Sequence, residues 1–255
     1  MLEKPDISDE AIVACVQDAF GLEVERLVFL PLGADLNTAV YRVVTKTQQP
    51  YFLKLRSGDF KETSVTLPQF LSAQGIKELI PLCPTITNQL WTTLEDYKVM
   101  LYPFVEGHDV FEVYLTEPQW RQFGRALKAV HTAVLPPSLA AKIPQETYPP
   151  KWRNIVKEFM QRIWHEEFTE PVAFKMAAFL NDKRNDVLAL LRRTEQLAQL
   201  VQSQPQEDVL CHSDIHAWNL LIDTDGMLYI VDWDDPILAP KERDLMFIGA
   251  GSGYR

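Results

Sequence analysis

VLCHSDIHAWNLLIDTDGMLYIVDWDD, residues 209–235, is the stretch whose reading decides the fold. At its middle, Asp223-Thr224-Asp225-Gly226 is a turn signal: short acidic side chains that bond nearby backbone, then a glycine that takes positive φ without strain. Apolar strand-forming residues flank it, at Leu220–Ile222 and Met227–Val231. The segment therefore reads as a β-hairpin. Folding that hairpin carries Asn219 and Asp232 to its open end. Asp214 lies just upstream of Asn219, in a loop leaving a short strand at Val209–Cys211. An amide and two carboxylates are thus expected to converge.

Phosphoryl transfer from ATP needs a set of this kind. One carboxylate orients the attacking hydroxyl and accepts its proton, while an Asn and a second Asp hold Mg²⁺ against the phosphates. Oxygen donors suit so hard a cation. The spacing His212-x-Asp214-x-x-x-x-Asn219 is that of a kinase catalytic loop, with Ser213 where arginine is usual. A competing reading takes His212, Asp214 and His216 as an HxDxH metal site. It needs further ligands at fixed offsets, and His108, His131 and His165 have no ligand motif beside them. His212 and His216 read better as residues that bond backbone and shape the loop, and His131 as structural. Trp218 is either a stacking surface for substrate or a buried core residue. Asp244 either braces the loop or caps a helix.

Working outward toward the N-terminus, Ser8 is placed to cap a helix running to about Phe20, stopped by Gly21. Strand formers follow at 24–30, 38–44 and 51–56, then at 90–94 and 97–103. Together they predict an antiparallel sheet of about five strands. Residues 104–109 (FVEGHD) read as a hinge. Thr116–Gln119 has the form of a capping box opening a helix with the stripe Trp120, Phe123, Leu127, Val130. A further helix begins near Lys151, with Trp152, Ile155, Val156, Phe159, Met160 and Ile163 on one face, and a helical region spans 171–202. These stripes are expected to be core.

Composition narrows the function classes. The formal net charge of −10 argues against a nucleic-acid partner, which needs lysine and arginine to neutralise phosphates. An acidic surface instead suits a cationic small molecule, or simply solubility. MLEKPDISDE has no apolar core of a signal peptide, and no run is long enough to span a membrane. Cys15, Cys83 and Cys211 are scattered and without metal-site spacing, which fits a reducing, cytoplasmic setting.

The sequence resembles the aminoglycoside phosphotransferase family, a branch of the protein-kinase-like fold. The carrying stretches are GADLNTA (33–39), FLKL (52–55), GIKELI (75–80), PKWR (150–153), CHSDIHAWN (211–219) and VDWDDPILAPKERDLMFIG (231–249). The resemblance implies an α+β, two-lobed fold: a small nucleotide-binding lobe at 1–103 with an antiparallel sheet, a hinge at 104–109, and a larger, mainly helical lobe at 110–255. It implies an ATP- and Mg²⁺-dependent kinase of an aminoglycoside or aminocyclitol such as spectinomycin. The alternatives are a kinase of another hydroxylated metabolite, choline- or homoserine-like, and a non-catalytic relative that binds nucleotide weakly. Carried over by residue, Asp214 is the catalytic base, and Asn219 and Asp232 bind Mg²⁺. Lys54 contacts the ATP phosphates and Glu62 orients it. Gly33 and Asn37 belong to the nucleotide loop, and Tyr102 and Phe104 to the adenine pocket. Asp234 or Asp235, with Trp218, would face a cationic substrate.

Three departures from the family pattern carry expectations of their own. The nucleotide loop has Leu32 where a second glycine is common. Pro68 predicts that the helix carrying Glu62 is kinked, or starts only near Leu67. Family members continue through further helices, so the C-terminal lobe is expected to be incomplete at its end, with Leu245, Met246, Phe247 and Ile248 opening an apolar patch that a dimer would cover.

Overall fold

A computed structural model describes residues 3–33 and 35–248. The chain opens with α1 (Asp9–Phe20), held at its start by the Ser8 hydroxyl, which accepts from the Ala11 N–H at 3.1 Å. Gly21 ends it in the left-handed region at φ 68°. Strands β1 (Val24–Leu30), β2 (Thr38–Thr45) and β3 (Pro50–Arg56) follow. Next come α2 (Thr63–Ala73), β4 (Thr92–Leu94) and β5 (Tyr97–Pro103). The five strands form one antiparallel sheet in the order β1-β2-β3-β5-β4. One sheet face packs on α1, burying Tyr41, Leu53 and Leu55 of the sheet with Ile12 and Val16 of the helix. Alternation along β3 therefore turns Lys54 and Arg56 to the other face.

Helix α2 begins at Thr63, well before Leu67, and runs through Pro68, so of the two expected outcomes the late start does not occur. Proline cannot donate to the Ser64 carbonyl one turn back, so α2 holds its first turn by other bonds. The Thr66 hydroxyl donates to the Glu62 carbonyl at 2.9 Å, and the Ser64 hydroxyl to the Lys61 carbonyl at 2.8 Å.

The residues expected to form a hinge are partly strand. β6 (Gly107–Asp109) pairs with β8 (Leu220–Asp223), which pairs in turn with β9 (Leu228–Ile230). Only glycine fits at 107, because a Cβ there would stand 2.0 Å from the Ile222 carbonyl oxygen. Helices α3 (Glu117–His131) and α4 (Pro137–Ala140) lead on to α5 (Lys151–His165), α6 (Pro171–Asp182) and α7 (Arg184–Gln202). β7 (Val209–Cys211) pairs with β10 (Ile237–Ala239), and a 3₁₀ turn spans Lys241–Leu245. Phe123, Leu127 and Val130 of α3 are buried in one cluster with Leu220, Leu228 and Ile230 of the hairpin. Ile248 packs on that cluster, while Leu245 and Met246 are exposed. Gly249 and the residues after it lie outside the described residues.

By internal contacts the chain divides into two compact units: Met1–Pro144 with Asp208–Arg255, and Gln145–Glu207. The second holds α5, α6 and α7. Its stripe on α5 corrects the expectation of core: Met160 and Ile163 are buried, but Ile155, Val156 and Phe159 are exposed and Trp152 is 69% exposed. Val172, Phe174 and Phe179 of α6 are exposed as well. A stripe this wide exceeds what two neighbouring helices cover, so only its C-terminal part is enclosed.

Candidate active site

The loop between β7 and β8 is held by buried polar groups. Asp244, whose side chain is wholly buried, accepts from the backbone N–H of Ser213 at 2.7 Å and of His212 at 3.1 Å. His131 Nε2 lies 2.8 Å from Oδ2, the carboxylate oxygen that also receives the His212 N–H. Asp244 is therefore a brace, and His131 orients the brace. Receiving the two consecutive N–H groups goes with a left-handed turn at Ser213, φ 75°. A non-glycine residue seldom adopts that region and does so where surroundings dictate it. The Ser213 hydroxyl donates to the Asp235 carbonyl at 2.7 Å.

His212 closes the other side. Its Nε2 is 2.8 Å from the Val231 carbonyl, so it donates there, and its Nδ1 faces the Asp214 N–H at 3.3 Å. Burial pushes its pKa below the usual imidazole value, keeping the ring neutral as that pattern requires. The Val231 N–H donates to the Asn219 carbonyl at 2.9 Å, which joins the two ends of the hairpin. Beyond it Asp232 is also left-handed, φ 64°.

A cavity of about 560 Å³ opens over this loop. Of the sequence-predicted residues, Gly33, Lys54, Tyr102, Phe104, Trp218, Asn219, Asp232 and Asp234 line it. Asn37, Glu62, Asp214 and Asp235 are not on its wall. Asn219 and Asp232 thus share one cavity, supplying an amide and a carboxylate. Those donors fit a hard divalent cation. Asp214 presents its carboxylate to solvent, with half of the side chain exposed and Oδ2 3.6 Å from His216 Nε2. Asn219 Nδ2 donates to the Asp214 carbonyl at 2.9 Å, tying the two residues together. Trp218 is exposed, not core, and stacks on Phe111 with ring centroids 4.6 Å apart. Tyr102 is pushed up to about 12 by burial, so its phenol stays protonated. Phe104 receives the Arg42 guanidinium 4.5 Å above its ring.

Two expectations are corrected here. Lys54 does not pair with Glu62. Its ammonium bonds Asp232 at 3.0 Å and both carboxylate oxygens of Asp234 at 3.0 Å. Burial alone would lower its pKa, but Asp232 and Asp234 outweigh burial and raise it. Glu62, at the start of α2, bonds Lys142 at 2.9 Å instead. The second correction concerns the acids assigned to a cationic substrate. Asp234 is taken by Lys54 and by Arg56, which bonds it at 2.9 Å, and Asp235 is paired with Lys61. Cations of the chain itself neutralise both.

Arg56 was missed by sequence reasoning. It also bonds Asp35 of the glycine-poor loop at 2.7 Å, linking that loop to Asp234. The signal was available in its position two residues beyond Lys54, on the same face of β3.

Comparison with known proteins places this geometry. A profile described as APH, phosphotransferase enzyme family, matches residues 28–248. A crystal structure of spectinomycin phosphotransferase with ADP and spectinomycin superposes with a TM-score of 0.90 at 34% identity, covering 98% of this chain and 76% of that one. Amicoumacin kinase in complex with AMP-PNP, Ca²⁺ and its antibiotic superposes at 0.61 with 16% identity, covering 94% and 67%. An aminoglycoside phosphotransferase from Alicyclobacillus acidocaldarius superposes at 0.63 with 15% identity, covering 95% and 70%. These last two are likenesses of fold. No curated protein sequence gives a significant match to the chain.

Proposed function

The chain belongs to the APH phosphotransferase enzyme family of small-molecule kinases, and from that premise we propose that it transfers the γ-phosphate of ATP to a hydroxyl of an aminocyclitol antibiotic of the spectinomycin type. The observation that carries the reading is the meeting of Lys54, Asn219 and Asp232 in one cavity, with Asp214 in the same braced loop. The 34% identity to spectinomycin phosphotransferase favours that substrate class over choline- or homoserine-like alcohols.

In this reading Asn219 and Asp232 hold Mg²⁺, which supplies charge neutralisation at the phosphate oxygens. Lys54 leaves its carboxylate partners to meet the phosphates of the nucleotide. Tyr102 and Phe104 form the apolar wall against which a base would lie. Asp214, solvent-facing and unencumbered by a cation of the chain, orients the substrate hydroxyl and accepts its proton.

The test is turnover of Mg·ATP by the purified chain with spectinomycin, aminoglycosides and amino alcohols offered in parallel. Spectinomycin is expected to be phosphorylated. Asp214→Asn keeps the shape but not the base, and its turnover should fall by at least ~10²-fold with ADP binding unchanged. Parent-like turnover by Asp214→Asn would remove Asp214 from the chemistry. Turnover of an amino alcohol alone would move the substrate class.

A further inference from the structure

His216 stands between the two residues assigned to chemistry, and its hydrogen bonding is unusual. Its Nε2 lies 3.2 Å from Asn219 Nδ2, while the same Nδ2 donates to the Asp214 carbonyl at 2.9 Å. An amide nitrogen carries two hydrogens and accepts nothing, so the first contact is a bond only if Nε2 is the acceptor. A neutral ring accepting at Nε2 carries its proton on Nδ1. That Nδ1 is buried, and has no hydrogen-bond partner among the described residues. An unpaired buried N–H is destabilising and calls for a reason. The 3.6 Å separation of Nε2 from Asp214 Oδ2 is too long for a hydrogen bond and leaves that carboxylate free.

The reason lies in Asn219. With one amide hydrogen on the Asp214 carbonyl and the other on His216, a half-turn of the amide would set Oδ1 against two acceptors. The flip is blocked. The end of Asn219 left for the cavity it lines is therefore its oxygen, the donor a hard cation requires. The ring is kept in place by the edges of Trp218 and Phe247, with centroids 5.7 Å and 6.1 Å away. We propose that His216 is a positioning residue, which locks the Asn219 amide with its oxygen turned toward a divalent cation. The inference rests on the phosphotransfer reading and adds to it the group that orients a metal ligand.

Its test is Mn²⁺ binding by the full chain in the presence of ADP, read from the free-ion electron paramagnetic resonance signal. His216→Leu removes the acceptor and keeps apolar bulk. Mn²⁺ should bind about tenfold or more weakly, the range seen when a ligand loses its outer partner. His216→Gln restores an acceptor and should recover most of that loss. Asn219→Asp gives the decisive background. A carboxylate presents oxygen whichever way it turns and sets its second oxygen against the acceptor at His216, so adding His216→Leu to it should weaken Mn²⁺ no further. Unchanged Mn²⁺ affinity in His216→Leu overturns the inference. So does an equal loss in the Asn219→Asp background, since His216 would then act through the loop as a whole. A parent chain that binds ADP but no Mn²⁺ also overturns it, whereas one that binds neither sinks the phosphotransfer reading beneath it.

Discussion

The loop from Cys211 to Asn219 and the helices from Lys151 to Gln202 were both read from residue spacing, and they came out differently. In the loop, spacing met partners that fix it. Asp244 takes two consecutive N–H groups, His212 takes a third, and Asn219 ties back to Asp214. In the helices, the spacing on α5 marked an apolar face, yet much of that face is exposed. Hydrogen bonds are directional, so a polar pattern constrains where its partner must be. Apolar burial is not directional, so periodicity identifies the face of a helix without naming what covers it.

Removing Asp244 should produce the largest effect on the loop side of that comparison. Asp244→Ala strands two backbone N–H groups and the inward nitrogen of His131 in a dry interior. Each buried N–H left without an acceptor costs about 1–3 kcal/mol, so the two backbone groups alone should cost about 2–6 kcal/mol. Denaturant unfolding of parent and variant measures it. A cost below about 1 kcal/mol would mean that other contacts hold the loop and that the brace is incidental.

The same contrast explains what was legible in the sequence. The strands at 24–30 and 97–103 were readable to the residue, because β-branched and aromatic runs bounded by turns leave little choice. The hairpin was readable from Asp223–Gly226, and its open end brought Asn219 and Asp232 into one cavity. β6 was not, since Gly107 looks like a hinge residue until the Ile222 carbonyl is seen pressing on it. Nor were the partners of Lys54. Asp232 and Asp234 lie 178 and 180 residues away, and no local pattern says which of several acids a lysine will meet. Pro68 argued for a kink or a late helix start, and hydroxyls at Ser64 and Thr66 bonding backwards are the local detail that the late-start reading left out.

A smaller effect is expected at the Lys54–Asp232 ion pair, where one partner, Asp232, is half in water. Burial would raise the Asp232 pKa, but Lys54 holds it below the ordinary carboxylate value. Its contribution to stability is therefore complete above the unfolded value of about 4 and lost as pH falls through the lower, folded value. Asp232→Asn lacks that contribution. The variant should be less stable than the parent at neutral pH, and the two should converge on acidification below about pH 4. Solvent screening of a half-exposed carboxylate keeps the difference within about 1 kcal/mol. Thermal midpoints across pH 3–8 measure it, and a gap that widened toward acid would reverse the sign of the Lys54 effect.

The smallest effect belongs to the helices, and it bears most directly on the contrast. Trp152 is 69% exposed, although it sits in an apolar stripe that spacing assigns to core, and Phe179 of the neighbouring α6 is 61% exposed. If exposure is right, neither side chain gains much from folding, because most of its surface meets water in both states. Trp152→Ser and Phe179→Ser should then each change unfolding free energy by no more than about 0.5 kcal/mol, as surface substitutions do. Were these residues core, truncation would cost about 3–5 kcal/mol through lost transfer energy and the cavity left behind. The two readings differ by several-fold, so denaturant unfolding of the two variants separates them. A second measurement gives the same question the opposite sign. An exposed face of this kind should bind a fluorescent apolar-surface dye in the native state, and replacing Trp152 and Phe179 together should lower that binding. Core residues would do the reverse, since serine at either position would loosen the fold and raise the signal. Small stability changes with reduced dye binding would establish that α5 and α6 present an apolar face to solvent. A loss of several kcal/mol with increased dye binding would show that periodicity had named core residues after all, and would bring the two regions back under one rule.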